Sequence, residues 1–219
     1  MKTHRSAVTV AVVMLVLGSA AHAAADVALI TALDGKVART TVAGAQDLEA
    51  FVKLKAGDVL NTVKGASVQI VYFENGRQES WSGVGKLEIT PTEGRATGLP
   101  APQVKQLPLI IVKQMARTPT LDSQGRAGVT RLRAIATPEA ITTLDETYKK
   151  MRAEAPREDL NPELYLLAGM FELKQLDRVE KTLNELKQAQ PANNQVKMLA
   201  SLYGKALRDA RAAATATQQ

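Results

Sequence analysis

The sequence predicts an α+β fold in which a small all-β region comes first and antiparallel helical hairpins follow. Residues 26–91 contain short runs of alternating apolar and polar residues between glycine-bearing turns, which is the pattern of half-buried strands. From Thr137 onwards apolar residues instead recur every three or four positions, as in amphipathic helices. Residues 92–136 contain prolines that interrupt any regular run, and they predict a connector with or without extra strands. Its apolar stretch 107–112 is expected to be a strand or an extended segment that packs against the rest of the protein.

Residues 1–25 have the pattern of a secretory signal peptide. Lys2 and Arg5 precede the uncharged apolar stretch 8–17, and small residues follow it, so cleavage is expected after Ala23 or Ala25. This stretch is shorter than the ~20 residues of a membrane-spanning helix, and no later stretch is long enough either. The expected location is the periplasm, with secretion or an uncleaved N-terminal anchor as alternatives. No membrane span is expected after cleavage.

The composition excludes several kinds of chemistry from the mature chain. There is no cysteine, and the two histidines, His4 and His22, both lie in the predicted signal peptide. Ser-His-Asp and Cys-His catalysis, Cys/His zinc sites, His-ligated haem and disulfides are therefore excluded. Removal of the two basic residues of the signal peptide lowers the formal charge from +6 to +4, and the remaining basic residues are scattered. No nucleic-acid partner is predicted.

The clearest strand signal is the alternating stretch 67–73, which Asn75-Gly76 then follows. This dipeptide predicts a hairpin with a type I′ turn, and the returning strand carries Trp81. Regular alternation would place Trp81 on the same face as Glu79. A core or half-buried position is favoured over an exposed ligand platform, because a small β-domain needs the large area that one ring buries. Residues 83–85 then break the strand, and residues 86–89 alternate again.

The order of these signals resembles the FecR-like domain of bacterial envelope proteins. The resemblance lies in Gly35-Lys36-Val37, residues 54–62, Ser67-Val68-Gln69-Ile70, Asn75-Gly76 and residues 83–89. It covers about residues 28–90 and implies a small twisted all-β unit. In the iron-dicitrate sensor that names the family, a cytoplasmic region and a membrane helix precede the domain. Here the domain directly follows the predicted signal peptide, so transmembrane signalling is not expected.

The helical region 137–212 begins with Thr137 as N-cap and Pro138 at the first helical position. Further helices are predicted from residues 161 and 177 and from residue 195 to about 212, before a flexible tail, 213–219. Apolar positions of the first helix recur in the third with a constant offset, as do Pro156 and Pro191. The spacing is close to the ~34-residue tetratricopeptide period. The region resembles a degenerate tetratricopeptide unit, which implies hairpins that need a neighbour to cover their apolar face.

Catalytic arrangements are hard to find among the remaining residue types. Glu74 and Glu79 flank the predicted hairpin and come nearest to the carboxylate pair of a hydrolase. Both are expected to face solvent as ordinary surface acids. Residues 83–86 lack the spacing of a phosphate-binding loop, and the chain has no run of acidic residues typical of a calcium loop. We therefore predict a non-enzyme without a metal or cofactor.

The predicted function is that of a non-catalytic periplasmic binding or assembly protein whose partner is an envelope protein or peptide. A peptidoglycan-associated module is the alternative. Iron-chelate sensing, implied by the family resemblance alone, and a carboxylate-dependent hydrolase are less favoured. Arg131 and Arg133 share one face if their segment is a strand. The candidate residues for the ligand or partner surface are Arg77, Trp81, Arg131, Arg133 and Tyr165.

Overall fold

The computed structural model describes residues 25–42, 44–121, 127–128 and 136–216. Its strands are β1 Asp26–Asp34, β2 Val37–Thr41, β3 Gly44–Asp47, β4 Lys53–Lys55, β5 Val59–Thr62, β6 Ser67–Tyr72, β7 Arg77–Ser82, β8 Gly85–Ile89, β9 Gly94–Thr97, β10 Gln103–Gln106, β11 Thr120–Leu121 and β12 Ala127–Gly128. Its helices are α1 Leu109–Met115, α2 Pro138–Glu154, α3 Asn161–Glu172, α4 Leu176–Ala189 and α5 Asn194–Ala216. The predicted α+β class is confirmed, with most strands first and the helices towards the C-terminus. The predicted signal peptide lies outside the described residues, apart from Ala25.

Two antiparallel five-stranded sheets form a sandwich. The strand order is β10-β7-β6-β1-β4 in one, here called the inner sheet, and β3-β2-β5-β8-β9 in the other, the outer sheet. Their facing sides share one apolar core, because alternate residues of each strand point to the same face. The inner sheet contributes Ala28, Ile30, Val68, Ile70, Tyr72 and Trp81, and the outer sheet contributes Val37, Leu60, Leu87 and Ile89.

The opposite face of the inner sheet packs against the helices. Leu29 and Val71 point to this face and belong to a second apolar core shared with the helices. Both side chains are fully buried. A buried hydrogen bond also crosses the boundary, since Asn161 Nδ2 at the start of α3 donates to Gln78 Oε1 on β7 at 2.8 Å. The inner sheet is therefore the middle layer between the outer sheet and the helices.

Helix α3 is the centre of the helical layer. Every residue from Asn161 to Phe171 is buried, which agrees with the nearly continuous apolar run in this part of the sequence. Helix α2 approaches it closely at Gly169, where an added Cβ would lie 2.3 Å from Leu144 Cδ1. A glycine at this position is thus required for the observed packing of α2 on α3.

The predicted hairpin at Asn75-Gly76 is present, but its turn is not type I′. Type I′ needs positive φ at both central residues, and of these two only Gly76 has it, with φ of 72°. Strands β6 and β7 are instead joined by the four residues 73–76. The Asn75 side chain stabilises this longer turn, since Oδ1 accepts from Arg77 N and Nδ2 donates to Thr92 O, each at 3.0 Å.

The connector contains more regular structure than the sequence predicts. Strands β9 and β10 extend the two sheets, and part of the apolar stretch 107–112, expected to be a strand or an extended segment, lies in helix α1. Pro108 precedes the helix, and Ile111, Val112 and Met115 form its buried side. The prediction that this stretch packs against the rest of the protein is confirmed. Helix α5 also continues to Ala216, beyond the predicted end near residue 212.

Among the described helices, none combines the length and the apolar character that crossing a bilayer requires.

Candidate partner-binding surface

Glu79 is the centre of a buried polar cluster in the sandwich. Its side chain is almost fully buried, with 1% of its surface exposed, and the prediction that it faces solvent is wrong. Its Oε2 accepts from Trp81 Nε1 and from the backbone N–H of Gly94, both at 2.9 Å. Its Oε1 accepts from Arg77 Nε at 2.6 Å. Because β7 lies between β6 and β10 in the inner sheet, alternation turns this carboxylate into the sandwich, while Glu74 stays exposed in the turn.

Tyr72 adds a fifth polar group to this cluster. Burial, and then the charge of Glu79, raise the pKa of the Tyr72 phenol well above its usual range. The Tyr72 hydroxyl is buried without a hydrogen bond of normal geometry. A Cβ added to Gly94 would lie 3.0 Å from both this hydroxyl and Glu79 Oε2. The cluster thus joins β9 to the inner sheet at a point where only glycine fits, which is a structural role.

Two of the predicted surface residues are buried. Trp81 is 4% exposed and Tyr165 is 5% exposed, so their placement at a partner surface is wrong, and the core alternative for Trp81 is confirmed. Alternation along β7 turns the indole towards the outer sheet, and Tyr165 lies in the fully enclosed helix α3. Arg77 is partly exposed and its Nε is bound to Glu79. Arg131 and Arg133 lie outside the described residues.

A second charged cluster lies where α2 turns into α3. Arg152 Nη1 donates to both carboxylate oxygens of the buried Glu163, at 3.0 and 2.9 Å, and to Asp159 O at 2.9 Å. Its Nη2 donates to the carbonyl oxygen of Ala155 at 2.9 Å and to that of Pro156. Both terminal nitrogens of the guanidinium are therefore engaged in holding the turn, and this arrangement is a structural tie.

The Tyr148 hydroxyl donates to Glu163 Oε1 at 3.3 Å in the same cluster. Burial, followed by the charge of Glu163, raises the pKa of Tyr148. These groups line a cleft of about 440 Å³. The buried charge of this cleft, Glu163, is already paired with Arg152, so it does not by itself favour a charged ligand.

Exposed apolar side chains concentrate in one stretch of the described chain. Of the six large apolar residues that stand exposed in the described chain, three lie between residues 104 and 110. Ile110 is 73% exposed, Val104 49% and Leu109 44%. Single exposed apolar residues are ordinary, whereas a group of them commonly marks an interaction site. We call this group, with its neighbours Lys105, Lys150, Met151 and Glu154, the β10–α1 surface.

The same surface includes a cavity and a sheet edge. The cavity, of about 410 Å³, lies between β10, α1 and α2, and Leu107, Ile110, Met151 and Pro162 provide apolar parts of its wall. Strand β10 is the last strand of the inner sheet, and no described strand pairs with its outer side. All four of its residues are exposed. An edge strand of this kind presents backbone donors and acceptors to a partner.

The surface thus combines unpaired backbone groups of β10 with exposed apolar side chains and a cavity. In the part of the chain that the structure describes, no group of three or more acidic residues is placed to hold a metal ion. The apolar stretch 107–112 is a sequence signal for this surface. The sequence alone does not show which residues of the stretch face solvent. Helix α1 divides it, with Ile111 and Val112 pointing inwards and Leu109 and Ile110 outwards.

Comparisons with known proteins provide no independent assignment. The resemblances of residues 28–90 to FecR-like domains and of the helical region to tetratricopeptide repeats both stay predictions. The chain matches no family model, no curated protein and no solved structure at a significant level.

Proposed function

We propose that this protein is a non-catalytic binding or assembly protein of the bacterial envelope that holds a partner protein at the β10–α1 surface. The observation that carries the proposal is the group of exposed apolar side chains, Val104, Leu109 and Ile110, beside an unpaired sheet edge and a cavity. Covering these side chains would contribute roughly 25 cal/mol for each Å² of apolar surface removed from water.

The proposed envelope location rests on the signal-like N-terminal sequence, and the proposed absence of catalysis rests on side-chain chemistry. The two carboxylates in the described cores, Glu79 and Glu163, use both oxygens to accept hydrogen bonds from neighbouring side chains and, at Glu79, from the backbone N–H of Gly94. A general acid or base needs an oxygen that can reach a substrate. The arrangement supports a structural use of both acids.

Site-specific photo-crosslinking in the envelope of the source bacterium tests the proposal. A photoreactive residue at Ile110 is expected to form a defined protein adduct, whereas one at Val84, an exposed apolar residue in the β7–β8 turn, is not. The adduct partner, identified and purified, should bind the wild-type chain and lose affinity for Ile110→Asp, with Val84→Asp as the matched control. Equal adducts at the two positions, or equal loss in the two variants, would contradict the proposal.

Co-sedimentation with purified sacculi distinguishes the peptidoglycan alternative from the proposed protein partner. The proposal predicts that the mature chain stays in the supernatant. Pelleting that is unaffected by Ile110→Asp would favour the cell-wall alternative over a protein partner.

A further inference from the structure

We propose that Asn75 is a deamidation site whose reaction is controlled by opening of the β6–β7 turn, residues 73–76. In the folded turn the side-chain amide is protected, and in an open turn it converts to aspartate and isoaspartate. The site is separate from the proposed function, so either can be wrong without the other. Its chemistry comes from the dipeptide Asn75-Gly76, and its control comes from the hydrogen bonds that hold the turn.

Asn75 is the only asparagine of the chain that a glycine follows. Deamidation begins when the backbone nitrogen of the next residue loses its proton and bonds to Cγ of the asparagine, while Nδ2 leaves as ammonia. Water then opens the resulting succinimide ring at one of its two carbonyl groups, which gives aspartate or isoaspartate. The net change is the gain of water and the loss of ammonia. Glycine hinders this attack least, because it has no side chain beside the nitrogen.

The attacking nitrogen is enclosed in the folded protein. Gly76 N donates to Tyr72 O at 3.0 Å, and Gly76 is buried, so its N–H is shielded from a base in solution. Gly76 O accepts from Leu107 N at 2.9 Å, and a Cβ added at Gly76 would clash with Leu107 O. The glycine thus lies between the end of β6 and the residue that follows β10. Removal of its amide proton requires these contacts to open first.

The side chain of Asn75 is held at both of its polar atoms. Nδ2, the leaving group, donates to Thr92 O in the turn between β8 and β9, and Oδ1 accepts from Arg77 N, each at 3.0 Å. Attack requires the amide to present Cγ to Gly76 N, and these two bonds restrict that rotation. Asn75 O also accepts from Gln106 Nε2 on β10. The start of β7, the β8–β9 turn and β10 therefore hold the residue together.

Conversion at Asn75 would loosen the same contacts. The product has a carboxylate in place of the amide, so the donor to Thr92 O is lost and two acceptors face each other. In isoaspartate the side-chain methylene also becomes part of the backbone, which lengthens the chain beside Gly76 and shifts its pairing with Leu107. Amide exchange at Leu107 should then be faster in the purified isoaspartyl form than in the unmodified protein. Equal exchange would contradict this loosening.

Peptide mapping by mass spectrometry provides the direct test of the site. The protein is incubated at mildly alkaline pH, either folded or unfolded in urea, and conversion at Asn75 is measured from the mass gain and the separate elution of the isoaspartyl peptide. Conversion should be about tenfold or more slower in the folded chain, because only the open fraction reacts. Asn61 is the internal reference, since the branched side chain of Thr62 crowds the next nitrogen. In urea Asn61 should react much more slowly than Asn75.

Two glutamines of β10 provide matched variants. Gln106→Ala removes the donor to Asn75 O, so conversion in the folded chain should become about two- to tenfold faster, while the rate in urea stays the same. Gln103→Ala changes the same residue type at the other end of the strand, opposite Ser80, and should leave both rates unchanged. Both glutamines are exposed, so the fold should be retained, as circular dichroism can check.

Each result supports or overturns a stated part of the proposal. Equal conversion of Asn75 in the folded and unfolded chains would overturn its protection by the turn. Conversion of Asn75 no faster than that of Asn61 in urea would overturn the site itself. Equal acceleration by Gln106→Ala and Gln103→Ala would overturn the role of β10 in holding the turn. The crosslinking test of the proposed function is independent of all three results.

Discussion

Replacement of Glu79 by alanine should strongly destabilise the β-sandwich. The change removes the acceptor for two groups, the indole N–H of Trp81 and the backbone N–H of Gly94. A buried donor left without a partner costs about 1–3 kcal/mol, so the two together cost about 2–6 kcal/mol. We discount the ion pair with Arg77, whose side chain is 31% exposed, because partly solvated pairs contribute little. Since typical domains have stabilities of about 5–15 kcal/mol, the loss is a large share of the total.

Urea unfolding followed by fluorescence measures this loss at the site itself, because Trp81 is the only tryptophan of the chain. The midpoint should fall while the slope with urea stays constant. Glu79→Gln, which keeps the shape and one acceptor oxygen, should lose clearly less than Glu79→Ala. Glu74→Ala, at the exposed acid of the neighbouring turn, should change stability by less than about 0.5 kcal/mol. A Glu79→Ala protein as stable as Glu74→Ala would refute the structural role of this carboxylate.

Three further predictions concern the helical layer and the buried phenol. Asn161→Ala and Gln78→Ala should show a coupling energy of about 1 kcal/mol in a double-mutant cycle, and strict additivity would contradict a direct hydrogen bond. Gly169→Ala should cost about 1–3 kcal/mol in urea unfolding because its methyl group meets α2. Gly204→Ala, whose Cβ would meet only Arg208 Nη1 at 3.8 Å, should be neutral or stabilising by up to about 1 kcal/mol, and equal effects of the two changes would contradict the close packing. The raised pKa of Tyr72 means that the folded state holds the phenolic proton more tightly, so this stabilisation is complete below pH ~10 and decreases as pH rises towards the folded pKa. Tyr72→Phe should therefore make the alkaline loss of stability shallower, and an unchanged pH profile would contradict the assignment.

Local patterns predict most of the strands and helices. The alternation of residues 67–73, the Asn75-Gly76 turn and the Thr137-Pro138 helix start correspond to β6, the β6–β7 hairpin and α2. These signals depend on a residue and its near neighbours, so they can be interpreted without knowledge of the tertiary fold. The helix start at Asn161 likewise corresponds to α3, whereas its burial on all sides was not predicted, since Tyr165 was placed at the partner surface.

Features that depend on tertiary packing were missed or assigned wrongly. An acidic residue beside a turn normally faces solvent, and the buried position of Glu79 becomes clear only when the donors of Trp81 and Gly94 converge on it. Both faces of the inner sheet are covered. In the sequence, the apolar residue Val71 indicates only in part that the face packed against the helices is buried as well. The β10–α1 surface is equally non-local, since α2 completes its cavity.

Hydrogen–deuterium exchange of the protein tests the partner surface most directly. The measurement compares amide exchange with and without the purified protein that crosslinks at Ile110. Slower exchange is expected at Gln103–Gln106, because a protein bound at the β10–α1 surface would cover the outward N–H groups of this edge strand, with unchanged exchange in the β7–β8 turn around Val84. Unchanged exchange in β10 together with slower exchange elsewhere would contradict the account and would move the partner site to another part of the protein.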